Sequence, residues 1–516
     1  MAKRLSAFLS ENLHLFIISV FTFFLIYLST FNRSYGYFID EFYYIACANN
    51  PAAGYVDQPP LAPLLLTVFQ FLFGNSIYAI RIIPALGQSA AVFTTGLVAR
   101  EIGGGKLAQF LAACALAATP VLIAFGGFYS MNAFEPLLAA LLMLYAIKMI
   151  KENNSRRWIT LGIIMGVGMM NKHTFGVFII AFIISLILAG KWKLIFNKWF
   201  VFGGLCGFII FLPNIIWQII NNYPSLEFYR NISVDKNVYT PPLQFIMGQV
   251  MNFSPSTIPM WVAGFLFLLF SKSNKEYRFL GFLFLGLFLF MMLSGTSRAD
   301  RLAFAYPAAF AGGGVFFERV FSKYNYKILK ITFIIFMFSG LALALPIILP
   351  YFSYETVLAQ TKLLGINTEI EKGKKPLIPQ LLADRIGWED KFKLVLSAYN
   401  SLSDGDKKHT IIAAGNYGQA GALELFGKDY KLPPVACSHN NYYLWSKNRV
   451  SGNILLQLGY QRDYNGLKQL FDQVELLPGM YKNKYVSPHE NNLVVFLCRG
   501  PKIPPIEMLE RSKNYH

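Results

Sequence analysis

The 516-residue sequence contains few charged residues and few cysteines. Only 14% of its residues are charged and 55% are hydrophobic, a balance that excludes an ordinary soluble globular protein. Its five cysteines form no CxxC pair, which argues against a zinc site or a disulfide framework. The chain also lacks a P-loop and a dinucleotide-binding fingerprint. Its formal charge of +18 comes from Lys and Arg in short gaps between apolar runs, which disfavours nucleic-acid binding.

Long apolar runs make up most of the sequence instead. A transmembrane helix needs roughly 20 apolar residues, because every backbone polar group must be bonded within the segment. The runs that meet or approach this length lie at about residues 13–32, 78–99, 107–126, 131–149, 157–171, 173–190, 199–220, 255–271, 278–294, 302–318 and 328–350. The predicted fold class is an α-helical polytopic membrane protein with about eleven transmembrane helices within residues 1–350.

The positions of Lys and Arg between these runs predict their direction. Basic gaps alternate along the chain, beginning with Lys3 and Arg4 and ending with Lys323 and Lys327. Positively charged loops favour the cytoplasm, so the N-terminus is predicted to be cytoplasmic in a multi-pass protein. An odd number of spans then places the C-terminal part outside. Two long external loops are predicted, at 33–77 and 221–254.

Residues 351–516 have a different pattern, which predicts a soluble α/β domain. Charged helix-like segments such as 379–397 alternate with short apolar strands at 410–414 and 492–497. The segment 415–421 is rich in glycine, follows a strand and precedes a helix. It is either a phosphate-binding turn or a structural strand-to-helix turn, and its spacing favours the structural turn.

Three acidic residues lie where an apolar environment makes charge costly. Asp40 and Glu41 follow the first predicted span among aromatic residues, and Glu135 lies at the edge of the fourth. A carboxylate there is expected to be paired or to face a polar cavity. Partial burial also suits Asp40 and Glu41 to accept a proton from a substrate, which makes them candidate catalytic residues, and a functional role is the default for Glu135. For Asp40 and Glu41 the alternative is a solvated loop end.

Four basic residues on the predicted outer side are candidates for binding a phosphate through charged hydrogen bonds: Lys172, Arg298, Arg301 and Arg81. The alternatives are a lysine that extends to the membrane surface and arginines that pair with Asp300 or with lipid head groups. The histidines form no recognisable set of metal ligands, so no cofactor is predicted, although a divalent cation remains open.

Several motifs occur in an order typical of one family. They are Asp40-Glu41 with Tyr43-Tyr44, Gly54-Tyr55-Val56-Asp57-Gln58-Pro59-Pro60-Leu61, Arg81-Ile82-Ile83-Pro84, Met131-Asn132-Ala133-Phe134-Glu135-Pro136, Asn171-Lys172, Pro213-Asn214-Ile215-Ile216-Trp217-Gln218 and Asn222-Tyr223-Pro224. In this order they resemble the bacterial members of the protein O-mannosyltransferase superfamily, which includes the lipid A aminoarabinose transferases. The tail segments 416–422 and 438–445 resemble those of a bacterial subgroup.

The resemblance implies a membrane glycosyltransferase of the C-type fold in the bacterial inner membrane. It implies a polyprenyl-phosphate sugar as donor, a reaction on the non-cytoplasmic face and Asp40 as the catalytic base. Many relatives have a second catalytic acid, an aspartate, where Asn132 stands, and by the resemblance Glu135, one helical turn further, would take over that role. Gln58 replaces the histidine usual at its position. The residues expected to contact substrate are Tyr43, Tyr44, Tyr55, Asp57, Gln58, Asn132 and His173.

The sequence thus predicts an inverting glycosyltransferase that acts on a lipid, glycan or protein acceptor. Its partners are the polyprenyl-phosphate sugar donor, that acceptor and membrane lipid. One alternative is a transporter or flippase of polyprenyl-linked sugars, but no internal repeat is evident and the polar groups cluster at one membrane face. A sensor with an external binding domain is another, and it would not require acidic residues in half-buried positions.

Overall fold

The computed structural model describes residues 10–236, 239–295, 298–324, 327–368 and 375–516. Lys3 and Arg4, which entered the prediction of direction, lie outside these ranges. The described chain is helical up to residue 348, and a domain of mixed helices and strands follows. The division of the chain near residue 350 into a membrane part and a soluble domain stays a prediction.

The α-helices of the first part follow one another through short connections. In chain order they are α1 (Leu13–Tyr27), α2 (Ile39–Asn49), α3 (Leu61–Phe73), α4 (Ile77–Ile80), α5 (Ile82–Glu101), α6 (Lys106–Ala117), α7 (Pro120–Gly126), α8 (Glu135–Lys151), α9 (Trp158–Asn171), α10 (Phe175–Leu188), α11 (Lys198–Ile220), α12 (Pro224–Asn231), α13 (Pro242–Phe253), α14 (Ile258–Phe270), α15 (Phe279–Leu293), α16 (Tyr306–Tyr324) and α17 (Lys327–Ile348). Two short 3₁₀ helices, Met131–Ala133 and Ala299–Ala305, carry residues of the candidate site.

Five helical segments of the described residues are long and apolar enough to cross a membrane: Leu13–Phe31, Ile77–Glu101, Met131–Lys151, Lys198–Ile220 and Lys327–Ile348. Two bent pairs raise the number to seven if each is a single span. Other predicted spans correspond to shorter helices, such as α10 and α15. The count of eleven stays a prediction.

Both bent pairs break beside a proline. Helices α6 and α7 meet at 69°, where Thr119 has an extended backbone before Pro120. Helix α13 ends at Phe253. The next residue, Ser254, has a φ of 75° and precedes Pro255, and the chain there bends by 89°. Proline disfavours helical geometry in the preceding residue, so each break follows from the local sequence.

The C-terminal part contains a five-stranded mixed sheet in the order β2-β1-β3-β5-β4. Its strands are β1 (Thr410–Ala413), β2 (Val435–Ala436), β3 (Ile454–Tyr460), β4 (Phe471–Leu476) and β5 (Leu493–Pro501). β1 is parallel to β2 and β3, and β5 is antiparallel to β3 and β4. The helices of this part are α18 (Tyr354–Leu363), α19 (Gln380–Ala383), α20 (Trp388–Asn400), α21 (Asp404–Lys408), α22 (Tyr417–Gly427), α23 (Asn441–Ser446), α24 (Tyr464–Leu470) and α25 (Pro505–Arg511).

One face of this sheet packs against α20 and α22. Ile412, Leu456 and Val495 from three neighbouring strands are buried there with Val395 and Leu423 from the two helices. Alternate residues of a strand point to the same face, so an apolar residue at every second position supports one continuous core. The same core includes residues of α2, which joins the sheet domain to the helical part.

Candidate active site

Asp40 lies in the first turn of α2, at the boundary between the two parts of the protein. It is half-buried, and the hydroxyl of Tyr417 in α22 donates a 2.8 Å hydrogen bond to its Oδ1. The N-terminus of a helix favours a negative charge, since its first backbone N–H groups are unpaired within the helix. The Asp40 carboxylate is therefore held by α2 of the helical part and by α22 of the C-terminal part.

Glu41, the next residue, is completely buried and paired with Arg81. Arg81 donates from Nε to Oε1 at 2.9 Å and from Nη2 to Oε2 at 2.7 Å. Backbone N–H groups of Tyr129 and Phe38 complete the set at 2.9 and 2.8 Å. Burial alone would raise the pKa of the Glu41 carboxyl, but the charge and hydrogen bonds of Arg81 hold that pKa below its ordinary value. This buried pairing favours a structural role for Glu41 and Arg81. The sequence had predicted a catalytic role for Glu41 and phosphate binding for Arg81.

A cavity of about 180 Å³ brings together the other charged residues that the sequence singled out. Its polar lining consists of Asn132, Glu135, Lys172, Arg298, Asp300 and Arg301. Three cations and two carboxylates thus face one small space, and Arg81 is not among the lining residues. The side chains come from α8, the two 3₁₀ helices and the segments at the ends of α9 and α15.

Lys172 is the best-defined cation of this cavity. The helix α9 ends at Asn171, and Lys172 follows with an extended backbone that turns its side chain toward α8. Its Nζ donates to Asn132 Oδ1 and to Glu135 Oε2, both at 2.8 Å. An ammonium group has three donors, so one remains for a ligand beyond these two contacts. The Glu135 side chain is only 7% exposed, and its pairing with Lys172 satisfies the expectation for a carboxylate in an apolar segment.

Arg298 and Arg301, which line the same cavity, lie at the start of the 3₁₀ helix Ala299–Ala305. Arg298 Nε donates to Asp300 Oδ1 at 3.0 Å, and the second contact joins Nη2 to Oδ2 at 2.5 Å. Burial would raise the pKa of the Asp300 carboxyl, but the adjacent Arg298 holds it below its ordinary value. Arg298 therefore pairs with Asp300, as the alternative expected, and both arginines line the cavity.

Tyr43 and Tyr44 follow Asp40 on α2, and Tyr44 contacts Met131, a residue that lines the cavity. Tyr43 donates from its hydroxyl to Asp57 Oδ1 at 2.6 Å, whereas the Tyr44 hydroxyl accepts from the backbone N–H of Met131 at 3.0 Å. Burial raises the pKa of the Tyr44 hydroxyl well above its ordinary value, and the carboxylates of Asp57 and Asp40 raise it further. Tyr44 thus senses the charge of both carboxylates and contacts the segment that carries Asn132 and Glu135.

The remaining residues expected to contact substrate support the surrounding loops. Tyr55 is buried and donates from its hydroxyl to Cys47 O at 2.9 Å, and Gln58 is buried as well. His173 contacts Asn214 Oδ1 at 2.9 Å and the Tyr229 hydroxyl at 3.3 Å. None of these residues lines the cavity. Among the described residues, no group of three or more His, Cys, Asp or Glu side chains could hold a metal ion.

The glycine-rich segment 415–421 holds a side chain of the protein itself. Asn416 Nδ2 donates to Glu490 Oε1 at 2.6 Å, and Gln419 Nε2 lies 3.2 Å from Glu490 Oε2. Asn416 also caps α22 by accepting from the backbone N–H of Gln419. The turn therefore fits the structural alternative. It contributes Tyr417 to the site, a residue that sequence reasoning missed although it lies within a motif that had been singled out.

Comparison with known proteins gives two kinds of match. A family model described as dolichyl-phosphate-mannose-protein mannosyltransferase matches residues 57–217. The undecaprenyl phosphate-alpha-4-amino-4-deoxy-L-arabinose arabinosyl transferase 2 of Pseudomonas fluorescens (strain Pf0-1) is 22% identical over 256 residues. That alignment covers 46% of this chain and 45% of the relative, so the match spans less than half of the curated relative's length.

Solved structures match over a larger share of the chain. ArnT from Cupriavidus metallidurans bound to undecaprenyl phosphate has a TM-score of 0.61 at 12% identity, covering 93% of this chain and 97% of that one. The apo oligosaccharyltransferase of Archaeoglobus fulgidus has a TM-score of 0.50 at 12% identity, covering 87% and 69%. The fold is therefore the C-type fold of membrane glycosyltransferases. Over part of its length, the chain is also similar in sequence to the dolichyl-phosphate-mannose-protein mannosyltransferase family and to the Pseudomonas arabinosyl transferase.

Proposed function

We propose that the chain is a glycosyltransferase that moves a sugar from a polyprenyl-phosphate donor to a lipid, glycan or protein acceptor. The observation that carries this proposal is the cavity in which Lys172, Arg298 and Arg301 converge, and whose lining residue Met131 donates a hydrogen bond to Tyr44, one helical turn after Asp40. The relatives support it, since ArnT was solved with undecaprenyl phosphate and the Pseudomonas relative is named for an undecaprenyl-phosphate sugar.

The donor phosphate binds in the cavity, where three cationic side chains offset its charge. The bond between the anomeric carbon and the phosphate oxygen breaks, and the electron pair leaves with the polyprenyl phosphate. Negative charge on the leaving phosphate grows as this bond breaks, so fixed cations stabilise the transition state more than the ground state. Glu135 holds Lys172 in position for this task, because its carboxylate accepts one of the lysine hydrogen bonds.

Asp40 supplies the complementary chemistry on the acceptor side. A hydroxyl or amine of the acceptor attacks the anomeric carbon from the face opposite the phosphate and transfers its proton to the Asp40 carboxylate. One displacement of this kind inverts the configuration of the anomeric carbon, because attack and departure occur on opposite faces. A positioned carboxylate base contributes roughly 10²- to 10⁴-fold to such a step.

The same proposal places the reaction at the outer face of the inner membrane, with the N-terminus in the cytoplasm and the C-terminal domain outside. The alternation of basic gaps supports this direction, and a lipid-linked donor reaches the cavity by diffusion within the membrane. Labelling of single cysteines introduced into a cysteine-free variant, with a reagent that does not cross membranes, tests it. Cytoplasmic reactivity at positions next to residue 40 would overturn the proposed direction.

The central experiment uses the purified full-length protein in lipid vesicles with radiolabelled polyprenyl-phosphate sugars. Release of polyprenyl phosphate with a labelled acceptor is expected from the wild type, and Asp40→Asn is expected to abolish it while leaving donor binding intact. The amide is the same size as the carboxylate and still accepts from Tyr417. Asp404→Asn is the matched control, because that side chain is 99% exposed. Near-normal turnover of Asp40→Asn would remove Asp40 from the mechanism, and uptake of intact donor would indicate a transporter.

A further inference from the structure

The C-terminal domain reaches the candidate base through a close contact between two helices. Gly418 and Gly421 are three residues apart on α22 and face α2 at Ile39 and Phe42, the residues on either side of the Asp40-Glu41 pair. An added Cβ at Gly418 would clash with the Ile39 side chain. One at Gly421 would lie 2.8 Å from the backbone oxygen of Phe42. The absence of side chains on this face brings α22 near enough for the Tyr417 hydroxyl to reach the Asp40 carboxylate.

The start of α22 is fixed by a buried ion pair within the C-terminal domain. Lys391 Nζ donates to Glu490 Oε2 at 2.8 Å, and the two side chains are 3% and 1% exposed. The same carboxylate accepts from Asn416, the residue before Tyr417. Because the neighbouring residue is anchored, Tyr417 has little freedom to move away from Asp40.

The C-terminal domain also holds the chain just before Asp40. The backbone N–H of Gly36 donates to Arg385 O at 2.8 Å, and the Arg385 guanidinium lies over the rings of Phe38 and Phe128 at 5.9 and 5.8 Å. Arg385 is completely buried, and its charge adds to that of Arg81 in stabilising the Glu41 carboxylate. The first turn of α2 is therefore held by the C-terminal domain on both sides of the candidate base.

We propose that the C-terminal domain completes the reaction centre and that Tyr417 is a positioning residue, whose hydroxyl fixes and stabilises the Asp40 carboxylate for proton abstraction. This inference rests on the proposed function, because only there does Asp40 have a task. A hydrogen bond to the ionised form favours that form over the protonated one. Tyr417 thereby keeps Asp40 able to accept a proton.

Other titratable groups around this contact remain in place when the hydroxyl is removed. Tyr43 and His439 pack on the Tyr417 ring with centroids 4.9 and 4.6 Å apart. Tyr44 and Glu41 share the helix of Asp40, and Asp57 contacts Tyr43. Tyr417→Phe keeps the ring and its packing. A change in the pH at which the Asp40 carboxyl titrates therefore reports the lost hydrogen bond.

The test compares Tyr417→Phe with Tyr485→Phe in the full-length protein. Tyr485 is a matched control in the same domain, because its hydroxyl also donates to a carboxylate, Glu355 Oε1, at 3.0 Å. For Tyr417→Phe we expect kcat to fall about ten- to a hundredfold, since a hydrogen bond to a charged group is lost. KM for the donor should stay unchanged, and the acid limb of the pH–rate profile should move to higher pH. Wild-type turnover with an unshifted profile would overturn the inference.

Gly421→Ala tests the helix contact without altering Tyr417. The added methyl group would separate α22 from α2, so the variant is expected to show the same loss of kcat and the same shift of the acid limb. Gly466→Ala in α24 is the control, because nothing lies within 4 Å of an added Cβ there. A folded Gly421→Ala protein with wild-type kinetics would contradict the inference. If Gly421→Ala folds poorly, the kinetics of Tyr417→Phe decide whether the inference holds.

A measurement without turnover separates this inference from the proposed function. Asp40 is labelled with a water-soluble carbodiimide, which reacts with protonated carboxyl groups, and the extent is followed by mass spectrometry across pH. The midpoint is expected at higher pH in Tyr417→Phe than in the wild type and in Tyr485→Phe. If no polyprenyl-phosphate sugar is turned over but this shift occurs, the proposed function fails and the positioning of Asp40 by Tyr417 stands. Identical midpoints would overturn the positioning itself.

Discussion

Asp40 and Glu41 are adjacent in the sequence, but the structure gives their carboxylates opposite surroundings. Asp40 is half-buried and accepts a hydrogen bond from the Tyr417 hydroxyl, whereas Glu41 is completely enclosed and held by Arg81 and two backbone N–H groups. Successive residues of a helix point about 100° apart, so one can face the site while the other faces the interior. Because of this difference, Asp40 is the proton acceptor of the proposed mechanism, whereas Glu41 forms the ion pair with Arg81 that supports it.

Loss of the Glu41 charge is expected to destabilise the protein. Glu41→Gln leaves Arg81 and Arg385 buried without a counter-charge, and breaking a buried ion pair costs about 3–5 kcal/mol in the free energy of unfolding. Thermal unfolding in detergent measures the loss. Glu152→Gln is the control, since Glu152 is a partly exposed partner of Arg157 and such pairs contribute about 0–1 kcal/mol. A Glu41→Gln protein with unchanged stability but no turnover would instead assign Glu41 to catalysis.

The cation cavity gives a second prediction, about the donor. Lys172→Met removes one of three charges that face the phosphate, and we expect kcat/KM for the donor to fall about 10²-fold. Lys151→Met is the control, because Lys151 forms a half-exposed pair with Glu101. Turnover is measured against donor concentration in vesicles. Unchanged donor kinetics in Lys172→Met would place the phosphate outside this cavity.

Glu135 is expected to act through Lys172. In Glu135→Gln an amide oxygen can still accept from the lysine, so kcat/KM should fall only about two- to tenfold, the effect of weakening one charged hydrogen bond. The benchmark is Asp40→Asn in the same assay. A loss as large as that of Asp40→Asn would make Glu135 a second proton acceptor, which is the other role that the sequence leaves open.

Local sequence was sufficient to predict much of the helical part and of the cavity. Each predicted apolar run coincides with one or more helices, because apolar length is a local property. Lys172 and Arg298 were singled out because cations are unusual on the predicted outer side. The fold then brings these two residues into one cavity although 126 positions separate them along the chain.

Features that depend on distant contacts could not be predicted in this way. The chain from 221 to 254 was predicted as a loop, yet it contains α12 and α13, and α13 pairs with α14 across a sharp bend. Nothing local distinguishes Glu41 from Asp40, since their roles depend on Arg81 and Tyr417. Tyr417 is 377 positions from Asp40, and only the packing of α22 against α2 brings the two together.

The buried pair of Lys391 and Glu490 predicts how stability depends on pH. Burial would raise the pKa of the Glu490 carboxyl, but Lys391 holds it below the ordinary value of 4.5. A carboxyl whose pKa is lower in the folded state contributes stability above its ordinary pKa, and this contribution is lost as the pH falls through the lowered value. Glu490→Gln lacks the contribution at every pH. We therefore expect the variant to melt well below the wild type near pH 7 and the gap to close as the pH falls from 4.5 through the lowered pKa of Glu490.

The melting temperature of the full-length protein in detergent, measured for both proteins from neutral to acidic pH, checks this expectation. Glu507→Gln serves as the control, because Glu507 forms an exposed pair with Arg511 one helical turn away and should melt with the wild type at each pH. A gap between wild type and Glu490→Gln that stays constant across this range would contradict the prediction. In that case the amide would destabilise the domain through packing alone, and the charge of Glu490 would contribute nothing to holding Asn416 and the start of α22.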